Sequence, residues 1–154
     1  YFIKKGCRHI AFIGGTKKLF VTQDRYTGYE NALKEHQLEL DPQSTVFVTE
    51  FLEEKGYQFT KSLLAKNPNI DAIITTDSLL ASGVCDFLSS QNLTIPVLSF
   101  DSVDPKLDLA AYVDINTLEL GRVSFQTILQ IINDTKENRK ICYRQLISHK
   151  IIER

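Results

Sequence analysis

Residues able to hold a ligand stand just past several short apolar runs of this chain. Asp24 and Arg25 follow Ile10-Ala11-Phe12-Ile13-Gly14-Gly15, Phe51 follows Val46-Phe47-Val48, Asp77 follows Ala72-Ile73-Ile74-Thr75, and Asp101 follows Val97-Leu98-Ser99-Phe100. If the runs are parallel strands, their carboxyl ends line one crevice, where open α/β sheets take their ligands. A guanidinium, carboxylates and an aromatic ring meeting there suit a neutral, polyhydroxylated molecule, since the fork donates to hydroxyl pairs and a carboxylate accepts from them. Enzyme chemistry has no comparable support. There is no GxSxG elbow, GxGxxG fingerprint or Walker lysine pattern, and Gly14-Gly15-Thr16-Lys17 lacks the spacing to cradle phosphates. His9, His36 and His149 pair with no candidate nucleophile, so no catalytic residue, metal-ligand set or cofactor is expected.

The elements that would position these residues follow from periodicity. Apolar runs of four or five residues alternate with segments of helical period, the pattern of a βαβ sheet. Strands are expected at Ile10 to Ile13, Thr45 to Thr49, Ala72 to Thr75 and from Pro96 through Phe100, with a short apolar step at Ala111 to Asp114. A helix is expected over Gln23 to His36, with Tyr26, Tyr29, Leu33 and His36 on one face and Asp24 in its first turn, where the macrodipole favours an anion. A second runs from Leu52 to Lys66 and stops at Asn67-Pro68-Asn69. A third spans Ser78 to Ser90, capped by Thr76 or Asp77, with Leu80, Val84, Phe87 and Leu88 inward. Ser102 to Leu107 reads as loop. Leu118 to Asn133 is a helix apolar around much of its circumference, which needs cover on more than one side. Lys136 to Lys140 reads as a turn, and Ile141 to Ile152 as a final strand or strand pair.

Composition bounds the function. The 154 residues are the size of one domain with a single core. A formal net charge of -1 leaves no basic footprint for a nucleic-acid backbone. No apolar run nears the roughly 20 residues that cross a bilayer, and Tyr1 to Gly6 lacks a signal-peptide core. Cys7, Cys85 and Cys142 are widely spaced and lie in or beside apolar segments, so three reduced, packing cysteines of a cytosolic protein are expected rather than a disulfide framework or zinc site.

The wording of successive blocks resembles the effector-binding region of the LacI/GalR family of bacterial transcription regulators. The match runs through Gly6-Cys7-Arg8-His9-Ile10-Ala11-Phe12-Ile13-Gly14-Gly15, then Arg25-Tyr26-Thr27-Gly28-Tyr29-Glu30-Asn31-Ala32-Leu33, then Asp71 to Val84, Ile95 to Asp101, and Leu118-Glu119-Leu120-Gly121. The resemblance implies a type I periplasmic-binding-protein-like fold: an α/β, doubly wound, mostly parallel sheet with helices on both faces. It implies two similar subdomains with a small-molecule sugar effector clamped between them, and an N-terminal helix-turn-helix domain on DNA. Residues 1–108 and 136–154 then correspond to the C-terminal subdomain. Residues 109–135 correspond to a strand and helix crossing to an N-terminal subdomain otherwise absent here.

The resemblance also assigns ligand-binding roles. Arg25 matches the family arginine that bonds effector oxygens, against the alternative of a solvated arginine at a helix start. Asp101 matches the aspartate of the family's Phe-Asp step, and could instead cap Val103 or Asp104. Asp77 stands where asparagine is usual and Ser78 where aspartate is usual, so ligand contact and helix capping both remain open for Asp77. Phe51 aligns with an aromatic that stacks on a sugar ring, and a core role fits it equally. Ile115 replaces a common effector-reaching glutamine, which leaves the sugar's identity open, with a malto-oligosaccharide favoured by the general look of the match.

The protein expected is therefore the sugar-sensing part of a cytoplasmic repressor. It would act as a homodimer, touching DNA through the absent N-terminal domain and not through this segment, with no membrane partner. Leu79, Val84, Phe87 and Leu88 are the expected contributors to the two-fold interface, with core burial a competing role for each. A rival is an extracytoplasmic sugar-binding protein of a transporter. The scattered cysteines count against it, and the residues before Tyr1 would decide, being a helix-turn-helix in one case and a signal peptide in the other. A doubly wound enzyme would need a catalytic group that is not found.

Overall fold

The computed structural model describes residues 1–101, 104–137 and 141–154. Among the described residues six strands, β1 (Ile10–Gly14), β2 (Thr45–Phe47), β3 (Ala72–Thr75), β4 (Val97–Phe100), β5 (Ala111–Asp114) and β6 (Lys150–Glu153), form one sheet in the order β2-β1-β3-β4-β5-β6. The first five run parallel, and β6 lies antiparallel on β5. The helices are α1 (Phe20–Glu35), α2 (Glu53–Lys66), α3 (Ser78–Ser90) and α4 (Thr117–Lys136). The fold is the doubly wound, mostly parallel sheet that the resemblance implies.

Strands covered on both faces must be apolar on both. Ala11, Ile13, Ile73 and Val97 therefore meet Leu63 of α2 and Leu80, Val84 and Leu88 of α3 in one core. Ile10, Phe12, Ala72, Leu98 and Val113 face the other way, onto Tyr29 and Leu33 of α1 and onto Phe2. Helices α2 and α3 touch backbone to backbone. A Cβ on Gly83 would collide with the Glu53 carbonyl, and one on Gly56 with that of Leu80, so only glycine allows this approach.

Several boundaries move. Helix α1 begins at Phe20 rather than Gln23, so Asp24 sits in its second turn and no acidic residue occupies the first. Its opening residues escape the periodic pattern because Leu19, Phe20 and Val21 are apolar yet exposed. Of the expected C-terminal strand or strand pair, only Lys150–Glu153 is strand. Parts of the expected loop at Ser102 to Leu107 and turn at Lys136 to Lys140 lie outside the described residues.

In the segment 109–135, expected as a strand and helix crossing to an N-terminal subdomain, strand and helix are placed differently. Its strand belongs to this sheet as β5, held between β4 and β6, with Ala111 fully buried and Val113 nearly so. The chain leaves the sheet only after β5. Among the described residues, helix α4 makes no extended packing contact with another element, and Asp134 is its one buried residue. Val84, Phe87 and Leu88 are buried in the core, whereas Leu79 is exposed. Cys85 is buried and Cys7 half-buried, but Cys142 is exposed and so departs from the packing role expected of it. Among the described residues no helix is long and apolar enough to cross a membrane.

Candidate functional site

Parallel strands present their carboxyl ends at one edge of the sheet, and α1 and α3 start there. Arg25, in the second turn of α1, reaches across this edge. Its Nη1 donates to the Thr76 carbonyl at 2.5 Å, and its guanidinium carbon lies 4.7 Å from the centroid of the Phe100 ring at the end of β4. Stacking on an aromatic face holds the guanidinium plane while leaving its edge free to donate. Burial presses the Arg25 pKa below its ordinary value, while Asp101 and Asp77 act the other way.

Asp101 follows β4 directly. Its Oδ1 lies 3.8 Å from Arg25 Nη2, too far for a hydrogen bond, with the two side chains 36% and 18% exposed respectively. Among the described residues, neither the Asp101 carboxylate nor Arg25 Nη2 makes a hydrogen bond, a geometry that admits a hydroxyl able to accept from one and donate to the other. Asp101 has φ of +88°, which costs a non-glycine residue about 1–3 kcal/mol. Strain of this kind concentrates at functional sites. Of the capping partners expected for Asp101, Val103 lies outside the described residues.

Asp77 is the N-cap of α3. Its Oδ1 accepts from the Leu80 amide at 3.0 Å and its Oδ2 from the Thr76 hydroxyl at 3.2 Å. Burial raises its pKa, against the hydrogen bonds that lower it. Both oxygens are engaged within the protein, so capping is the role its geometry displays. The aspartate supports the crevice floor beside the Arg25–Asp101 pair.

Phe51 stands just before α2, half-buried and packed on the core of Ala11, Ile13 and Val48. A Cβ on Gly15 would collide with Phe51 Cζ, so glycine lets the ring close over the β1 turn. The structure therefore brings Arg25, Asp77 and Asp101 to one edge of the sheet and puts Phe51 against the turn at that same edge.

Two participants are not singled out by the sequence reading: Phe100 as the platform under Arg25, and Thr76 as its acceptor. Phe100 was findable, because alternation in β4 puts Leu98 and Phe100 on the face that α1 covers. The Thr76 contact is a backbone carbonyl, which no residue type announces. A separate apolar groove of about 490 Å³ runs along the sheet face beneath α1, lined by Phe2, Ile10, Phe12, Leu98 and Val113, and meets the site at Arg25. Its lining offers little to a polyhydroxylated ligand, so it is not the candidate site.

A doubly wound, mostly parallel sheet with polar side chains gathered at its carboxyl edge is the arrangement in which open α/β proteins take their ligands. The model of the periplasmic binding protein-like domain matches residues 1–154. The chain is 70% identical over its whole length to the HTH-type transcriptional regulator MalR of Streptococcus pneumoniae, covering 47% of it. It is 31% identical to the Ribose operon repressor of Haemophilus influenzae, over 94% of this chain and 44% of that one. The crystal structure of a transcriptional regulator designated LacI from Bacillus cereus subsp. cytotoxis superposes with a TM-score of 0.89 at 28% identity, covering 100% of this chain and 56% of the other. The chain belongs to the periplasmic binding protein-like domain family. It spans about half the length of the curated relatives it matches.

Proposed function

We propose that this chain is the sugar-sensing part of a LacI/GalR-type transcriptional repressor. The observation that carries the reading is the facing pair, Arg25 on its Phe100 platform and Asp101 on its strained backbone, 3.8 Å apart at the carboxyl edge of the sheet. A sugar hydroxyl seated between them would be gripped by both charged groups. The second wall of the site would come from an N-terminal subdomain, with α4 packing on it. Effector binding would favour one angle between the subdomains, and a homodimer would pass that preference to helix-turn-helix heads on DNA, in the cytoplasm. The effector proposed is a malto-oligosaccharide, which the name MalR of the 70% identical relative suggests.

Calorimetric titration of the full-length protein with maltose, maltotriose, glucose, cellobiose and ribose tests this. Maltose or maltotriose is expected to bind most tightly. Asp101→Ala should remove ~1.5–3 kcal/mol of that binding, the range for hydrogen bonds to a charged group. Unchanged affinity in this variant would take Asp101 out of the site, and tighter binding of ribose would reject the malto-oligosaccharide.

A further inference from the structure

Arg25, Gly15 and Asp77 reach the ligand edge from α1, from the turn after β1 and from the cap of α3, and all three bond to one residue. Thr76 is 1% exposed. Its hydroxyl accepts from the Gly15 amide at 3.0 Å and donates to Asp77 Oδ2 at 3.2 Å. Its carbonyl accepts from Arg25 Nη1 at 2.5 Å, and its amide donates to the Ile13 carbonyl at 3.1 Å. We infer that Thr76 is the positioning residue of the effector site, setting Arg25, the Gly15 turn under Phe51 and the Asp77 cap in one register without itself touching ligand.

The hydroxyl is what makes this specific. It has one proton, which goes to the carboxylate, and a lone pair that meets the Gly15 N–H. Valine would fill the same space while leaving a buried amide and a carboxylate oxygen without these partners, the costly case for a buried polar group. Those groups would then turn to find others, carrying with them the Gly15 turn and the peptide whose carbonyl anchors Arg25. Serine keeps both bonds. Because the network is shared, the loss should be felt at every wall it joins.

This inference rests on the sugar-binding reading, and the experiment separates the two. Maltose and maltotriose are titrated into the full-length protein and its Thr76→Val, Thr76→Ser and Thr60→Val variants, with thermal unfolding followed in parallel. Thr60 is the matched control, being fully buried with its hydroxyl on the Gly56 carbonyl at 2.7 Å, inside α2. Thr76→Val is expected to weaken binding about tenfold or more, while Thr76→Ser and Thr60→Val stay within about twofold of the parent. Parental affinity in Thr76→Val overturns the inference. So does a loss in Thr76→Ser as large as in Thr76→Val, or an equal loss in Thr60→Val, which would make the effect one of general stability. If Thr76→Val does not fold, Thr76→Ser still decides, since loss of binding there refutes the hydroxyl's role. A parent that binds neither sugar sinks the proposed function and this inference with it.

Discussion

Helix α4 should be worth far more to the full-length protein than to this chain alone. Phe125 is 62% exposed and Leu129 is 47% exposed, one turn apart on the same side of the helix. Fully burying either side chain stabilises by roughly 1.5–3 kcal/mol. With the partial burial seen here, the pair together contributes only about 1.5–2.5 kcal/mol on the same scale. If an N-terminal subdomain covers them, the contribution rises to about 3–6 kcal/mol. Replacing both by alanine should therefore cost the full-length protein about twice what it costs the isolated chain.

Urea unfolding of both proteins, with and without the double substitution, measures this, provided sedimentation shows the isolated chain to be monomeric. A self-associating chain would make the smaller cost depend on concentration. Equal costs in the two settings would refute the reasoning, because they would mean that α4 gains no cover from the rest of the molecule and that its exposed apolar face is simply tolerated. Hydrogen exchange over Leu120 to Ile132 probes the same cover by another route: slower exchange in the full-length protein is expected.

Asp77 carries a pH dependence of definite sign. Its folded pKa is raised, chiefly by burial, so in acid the native state holds a proton that the unfolded chain has released. Stability attributable to this group is present below its unfolded pKa and falls as pH rises through the folded value. Asp77→Asn keeps a side-chain oxygen for the Leu80 amide and abolishes the titration. The variant should thus gain on the parent as pH rises across the carboxylate range, read from melting temperatures; a flat difference would show that the carboxylate is adequately solvated. The cysteines should separate by alkylation. Burial pushes the Cys85 thiol up to about 11, whereas Cys142 is exposed, so iodoacetamide at mildly alkaline pH should label Cys142 first and Cys85 last by mass spectrometry. Early labelling of Cys85 would mean that α3 leaves the sheet more readily than its packing implies.

What is legible in the residues, and what is not, follows from which groups make the contacts. Strand β3 and helix α3 are placed at their observed ends because three signals coincide there: an apolar run, a Thr-Asp cap and an inward stripe of Leu80, Val84 and Leu88. The edge that gathers Arg25, Asp77 and Asp101 is foreseeable on the same basis, since strand direction puts Asp77 and Asp101, just past β3 and β4, at one end of a parallel sheet, where α1 brings Arg25. The first turn of α1 is invisible to periodicity because exposed Phe20 and Val21 obey no burial period, and of the strand or strand pair expected over Ile141 to Ile152 only the end pairs, as β6, among the described residues. The backbone parts of the site are hidden for a different reason. The carbonyl under Arg25, the amide of Gly15 and the positive φ of Asp101 belong to the chain path, and residue types constrain that path only where a wrong type would collide. Gly15 is such a place, because Phe51 fills the space a side chain would need. Thr76 is not, because valine would fit there, and its importance emerges only when the hydrogen bonds it closes are traced from α1, β1 and α3 to the same buried residue.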